Sequence, residues 1–202
     1  MACNVYLKGI NYSCTDLPVG GLTKVYIGAK ADLLEGANAP IVVETEKEVF
    51  DTTNQVFIEN PNYGNVTITP TAATLLADAV IDQLSFNNKD GFSTFTDVKT
   101  VGADGSVSAV PSISIEFPVM DATKRNALEQ IATGGAEIVA FIETAAGTYH
   151  MVGAEYGLFA GTVDGASGTA RTDKNRFQLT LTGEEKSLAF AIDSTNWALV
   201  AG

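Results

Sequence analysis

A chain of 202 residues, 46% hydrophobic and 18% charged, can bury roughly 70% of the surface its unfolded form exposes, so it needs no metal or disulfide to hold a core. The 24 acidic and 12 basic residues leave a net charge of −12, which argues against static binding to nucleic acid or an anionic membrane, since both need clustered Lys and Arg. No apolar run reaches the roughly 18 residues that span a bilayer. The opening MACNVYLKGINYS lacks the basic and apolar regions of a secretory signal, so no membrane anchor and assembly in a cytoplasm are expected.

The first 23 residues read as an N-terminal arm. It holds Cys3 and Cys14, with no Cys-x-x-Cys pair and no nearby histidine to make a zinc site. Reduced thiols are expected in a cytoplasm, and a disulfide only in an oxidising setting. Short strands are predicted at 24–29, 55–58, 66–69 and 148–152, with a loop at 34–40. In residues 71–84 (TAATLLADAVIDQL) Leu75, Leu76, Ala79, Val80 and Leu84 share a helical face, although Val80–Phe86 equally suits the start of a strand. A helix over the first half is favoured.

Period two then takes over. Phe92–Val101 and Ser106–Met120 flank Asp104-Gly105, a pair able to reach the positive φ of a tight turn, and together read as one long hairpin over 85–120. In its second arm Ile113, Ile115, Phe117 and Val119 alternate with Ser112, Ser114, Glu116 and Pro118, the pattern of a half-buried antiparallel strand. Asp121 is placed to cap a helix over about 122–133 that shows Leu128 and Ile131 on one face, and Gly134-Gly135 ends it. EIVAFIE at 137–143 is continuously apolar, as in a strand buried on both faces. Ala145-Ala146-Gly147 turns it into a strand over 148–160.

Residues 161–176 are small, polar and glycine-rich and read as an exposed loop; Asp164-Gly165 and Asp90-Gly91 add turn signals. Phe177, Leu179 and Leu181 alternate with polar residues, and Leu188, Phe190 and Ile192 with alanines, so each run reads as a strand. Gly153, Gly157 and Gly161 are read as sites of bulges or close backbone approach. Trp197 has two readings of equal weight: an anchor into the core, or a contact with a neighbouring subunit.

No constellation points to catalysis. His150 is the only histidine and no Gly-x-Ser-x-Gly elbow accompanies it. A Walker phosphate loop is absent. Asn87–Gly91 lacks the carboxylate spacing of a calcium loop, and Asp82, Asp90, Asp97 and Asp104 are scattered rather than paired. We therefore expect no enzymatic activity, no cofactor and no metal. The expected fold is a single domain, mainly β with one or two helices: an antiparallel β-sandwich or barrel with a flanking helix and a long protruding hairpin.

From about Ser85 to Ile192 the order of elements is distinctive. A long hairpin with a glycine tip (FSTFTDVKTVGADGSVSAVPSISIEFPV) precedes a capped helix with basic residues (MDATKRNALEQIA). A strand hairpin ending YHMVGAEYGL and a small-residue loop (GTVDGASGTARTDKN) follow, then FQLTLTGEEKSLAFAI, with Gly183-Glu184-Glu185 after a strand. With the opening MACN and VGGLTKVYI, this order resembles tail tube and related ring-forming neck proteins of phages and prophages of Bacteroidetes-type hosts. Residues 34–84 match poorly.

The resemblance implies a virion tail protein that assembles with itself and with other tail or neck proteins. Six copies would close a ring, their strands joining into an inner barrel through which double-stranded DNA passes without specific binding. The hairpin at Asp104-Gly105 would reach a neighbouring subunit through Phe92, Phe95, Val98 and Val101, with Trp197 as a further contact. Asp97, Asp104, Glu116, Asp164 and Asp173 would face the lumen and repel DNA, where cations would trap it. The alternatives are a head–tail connector ring of the same fold and a capsid decoration or adhesin module.

Overall fold

The computed structural model describes residues 20–35, 39–51, 53–86, 93–169 and 173–201. In chain order β1 (Leu22–Ala29) runs into the short α1 (Lys30–Leu33), followed by β2 (Ile41–Val43), β3 (Glu48–Asp51), β4 (Val56–Glu59), β5 (Val66–Ile68) and β6 (Asp82–Gln83). Next come β7 (Thr94–Val101), β8 (Val107–Pro118), α2 (Ala122–Gly134), β9 (Ile138–Thr144) and β10 (Tyr149–Val152). The remaining elements are β11 (Phe159–Ala166), β12 (Arg176–Thr182), β13 (Phe190–Ile192) and α3 (Ser194–Ala201).

Two antiparallel sheets carry the fold, one ordered β13-β10-β9-β1-β6 and the other β11-β12-β8-β7. Their facing sides share one core, in which Val25, Ile138, Ala140 and Ile142 of the first sheet meet Ile113, Ile115, Leu179 and Leu181 of the second, with Leu128 of α2. The far side of the first sheet has its own core, where Val139 and Phe141 pack against Leu33, Ile41, Ile68, Leu75, Trp197 and Val200. Successive residues of β9 thus point into two different cores, which is why EIVAFIE is apolar throughout. Neither sheet closes on itself, so the architecture is a sandwich with a flanking helix and the barrel alternative is set aside.

The register of β7 on β8 runs from Thr94 opposite Ser114 to Val101 opposite Val107. Between them Gly105 turns at φ 82°, and the Asp104 carboxylate accepts the Ser106 N–H at 3.0 Å. The Asp121 carboxylate accepts the Lys124 N–H at 2.8 Å and caps α2, and Gly135 closes it at φ 58°.

Four expectations give way. Residues 71–84 are turns up to the short β6 rather than a helix; the N–H groups of Leu75 and Leu76 bond the carbonyls of Leu199 and Val200 in α3, so tertiary partners replace helical ones. The predicted loop at 161–176 is half strand: β11 pairs with β12, and Asp164-Gly165 lies in that ladder opposite Gln178 and Phe177 instead of turning. The strand after residue 148 stops at Val152, as the shorter reading 148–152 has it and not the longer 148–160, and the chain crosses between sheets, with Gly153 at φ 87°; a Cβ there would lie 2.7 Å from the Ile138 carbonyl. Leu188 is exposed and lies outside β13. Gly161 falls at a register shift between Ala160 and Thr162, the bulge its position suggested. Cys3, Cys14, Asn87–Gly91 and Phe92 lie outside the described residues.

Candidate functional site: an open sheet with a hydroxyl face

The sheet β11-β12-β8-β7 buries one face and exposes the other. Because Ile113 and Ile115 point inward, the register sets hydroxyl residues outward. Thr94 lies beside Ser114, Thr96 beside Ser112 and Thr100 beside Ser108, with Val98 beside Val110 between the last two on the same face. Thr180 and Thr182 flank the same β8 serines from the other side, and Thr162 lies next to Thr180.

Charge on this face is sparse and largely neutralised. Glu116 is 2% exposed, with Arg176 Nη1 at 2.5 Å and Lys174 Nζ at 3.6 Å. Gln178 Nε2 donates to the Ser114 hydroxyl at 2.7 Å.

Both edges of the sheet are open. Among the described residues β7 pairs only with β8, and β11 only with β12. α2 lies against β11 and β12 and contributes Leu128 and Ile131 to the core.

The acidic residues singled out in the sequence scatter. Asp97 pairs with Pro111 on the inner side, where its Oδ2 accepts the Ala189 N–H at 2.6 Å. Asp104 belongs to the turn, and its bonds from the Ser106 side chain and backbone hold its carboxyl below the ordinary value. Glu116 is buried in its ion pair, so it offers no open charge. Asp173 accepts the Thr169 N–H at 2.7 Å within the loop. Asp164 alone of the five stands exposed on the outer face.

The contact residues divide as well. Phe95 packs on the shared core, with its ring 6.2 Å from that of His150. Burial holds His150 below its ordinary pKa, against the opposing charge of Asp97. Val98 and Val101 are exposed, opposite the exposed Val110 and Val107. Trp197 is buried, stacked on Tyr149 at 4.6 Å and edge-on to Tyr26 at 5.7 Å. It is a core anchor, and its ring has no free surface to offer a neighbour.

Two features went unread in the sequence. The hairpin of β3 and β4 forms a sheet of its own, with Phe50 against Phe57 on one face at 5.4 Å and Val49, Val56 and Ile58 on the other. Its signal was the paired apolar runs at 49–50 and 56–58. A groove of about 920 Å³ between β8 and β11 is lined by Val107, Val110, Tyr156 and Phe159. Among the described residues no group of three His, Cys, Asp or Glu is placed to hold a metal ion, and no helix is long and apolar enough to cross a membrane.

The fold and surface thus define a two-sheet sandwich with one open, hydroxyl-faced sheet. Comparison of the chain with models of known families, with curated proteins and with solved structures finds no match in any of the three.

Proposed function

We propose that this chain is a structural subunit that closes into rings by sheet-edge addition, and that stacked rings form a tail tube through which double-stranded DNA passes. The observation that carries the reading is the order β11-β12-β8-β7 with every pairing antiparallel. Four alternating strands leave β11 and β7 running in opposite directions. The β7 edge of one copy therefore meets the β11 edge of the next as an ordinary antiparallel pair. Such a contact uses two different patches, so its repetition closes a ring where the rotation between copies divides a full turn, and closure removes the open edges that otherwise invite aggregation.

The second sheet, α1, α3 and the β2–β5 pair all lie on the far side of this sheet. The bulkier layers need the larger circumference, which turns the hydroxyl face toward the lumen. That lining differs from an acidic one. Hydroxyls carry no fixed charge, and the Arg176 and Lys174 cations both pair with Glu116, so phosphate meets no run of cations of the kind that drives counterion exchange. Asp164 adds a like charge. In this reading the protein is a virion component with no catalytic role.

Electron microscopy of the purified protein tests the reading, with proline substitutions in β7 as the control. Of the neighbours Val98 and Lys99, one N–H points to β8 and the other to the open edge, because strand amides alternate. The Val98→Pro or Lys99→Pro variant that melts as wild type has lost only the outward amide and should form no rings. Rings from that variant, or lone wild-type particles at high concentration, would overturn the proposal. Copy number per particle separates a tube, with many tens of copies or more, from a single connector ring.

A further inference from the structure

We propose that the β3–β4 arm of one copy seats in the groove between β8 and β11 of another, a second contact that stacks rings; it rests on the ring reading above. The arm is preformed. At its tip the Asp51 carboxylate accepts the N–H groups of Thr53 at 2.8 Å and Asn54 at 3.3 Å. At its base the buried Asn60 donates through Nδ2 to the Glu46 carbonyl at 2.8 Å. Little conformational entropy remains to be lost when such an arm docks.

Among the described residues nothing covers it. Phe57 is 70% exposed and Phe50 51% exposed on one face, and Val56 and Ile58 are 49% and 43% exposed on the other. A two-stranded hairpin with two apolar faces is marginal in water, and a partner must enclose it from both sides. At about 200 Å² per aromatic side chain the two phenylalanines alone leave roughly 240 Å² of apolar surface open. Val56 and Ile58 bring the arm to about 400 Å², near half of what one partner gives a standard interface.

The chain also carries the matching concavity, which is why the occupant is a second copy. Val107, Val110, Tyr156 and Phe159, all among the exposed large apolar residues, line one groove. Arm and groove together hold 8 of the 15 such residues among those described. The arm does not fill its own groove. Tyr156, with Lys186 Nζ 5.3 Å from its ring centre, lines both that groove and the adjoining one into which Phe57 of the same chain faces. The two halves of the contact thus stand on opposite sides of a ridge, so the contact is head-to-tail. The groove opens at the end of the hydroxyl face, beside Ser108 and Thr182, where β8 and β11 begin and β12 ends, so the arm enters at the rim of the lumen and the added copy lies along the strands, while edge pairing adds copies beside them.

Two variants of the full chain test this: Phe50→Ser with Phe57→Ser in the arm, and Val110→Ser with Phe159→Ser in the groove. All four side chains are exposed in the single chain, so circular dichroism and melting should match wild type. The expected micrographs show stacked wild-type rings, and unstacked rings from either variant alone. Mixed, the variants retain one intact arm and one intact groove per pair of rings, so two-ring stacks form and no longer ones. Stacks of wild-type length from either variant, or a mixture that never pairs, would overturn the contact. Variants that stack as readily as wild type remove this inference and leave the tube reading standing; wild-type protein that forms no rings removes both.

Discussion

Replacing Glu185 by alanine tests how the two sheets are held together. Glu185 is 6% exposed, in the crossover from β12 to β13. Its carboxylate accepts the N–H groups of Glu155 at 2.8 Å and Tyr156 at 3.0 Å, in the crossover from β10 to β11. The Glu155 carboxylate in turn accepts the N–H groups of Lys186 at 2.5 Å and Ser187 at 3.2 Å and the Ser187 hydroxyl at 2.8 Å. Each crossover satisfies the other's backbone. Alanine at 185 strands two amides at about 1–3 kcal/mol each. With partial access of water to one of them the expected loss is about 2–4 kcal/mol, a fall in Tm of roughly 5–15 °C for a chain of this size. Glu155→Ala should cost a similar amount. Because the arrangement is reciprocal, the double variant should lose less than the sum, by about 1 kcal/mol or more.

A pH series gives an independent readout of the same group. Burial raises the Glu185 carboxyl above its ordinary value of 4.5 and the neighbouring Glu155 charge adds to it, against the opposing pull of the backbone donors. Above pH 4.5 the folded chain therefore keeps a proton that the unfolded chain has released. The stability from that proton is complete below the unfolded value and is lost as pH rises through the raised folded one. The assay is urea unfolding at low protein concentration, followed through the fluorescence of Trp197, at several pH values from 4 upward. The stability of wild type minus that of Glu185→Gln should fall with rising pH. A flat difference, or an alanine variant within about 0.5 kcal/mol of wild type, would refute the reasoning.

Arg176→Met leaves the buried Glu116 carboxylate with Lys174 at 3.6 Å as its remaining cation and should cost about 2–4 kcal/mol in urea unfolding; adding Glu116→Gln should recover most of it, since the charge left without its main partner causes the loss. Trp197→Ala removes the stack on Tyr149 and the edge contact with Tyr26 and should cost about 3–5 kcal/mol by thermal unfolding, while the proposed ring closure should be unchanged in the molecules that do fold. Asp121→Ala frees the Lys124 N–H from its cap, so amide exchange in the first turn of α2 should quicken while the urea midpoint moves little.

Sequence patterning was legible where a residue's two sides face different media. Ile113 and Ile115 alternate with serines because β8 has a core on one side and none on the other, and the C-terminal glycine and N-terminal aspartate of α2 are local devices. The β11 strand was not legible. Gly161, Asp164 and Gly165 interrupt any alternation, and the strand exists because β12 presents an edge for it to pair with. Helical spacing at Leu75, Leu76, Ala79 and Val80 came to nothing because α3 offered carbonyls to Leu75 and Leu76. The start of α3 did carry a signal, since Asp193 accepts the Asn196 N–H at 2.8 Å, but it is one residue pair in a short segment. As for the site, Ser112 and Ser114 announced half of the hydroxyl face. Its extension through Thr96 and Thr182 depends on register across three strands. The arm's apolar residues were visible, whereas the lack of a covering strand among the described residues depends on where all the other elements lie.

The pairing of β1 with β9 sets a clock on synthesis. Tyr26 lies opposite Phe141, so a ribosome adding about 5–20 residues per second needs on the order of 6–20 s between the two. During that interval, among the described residues, only Asp82 and Gln83 of β6 arrive as sheet partners for β1, and Val25 and Tyr26, both buried in the finished fold, wait without the β9 residues Ile142 and Phe141 that pair with them. The nascent β1 is therefore the segment expected to need shielding while the chain is still emerging, and cross-linking of stalled nascent chains to a holding chaperone should map to it.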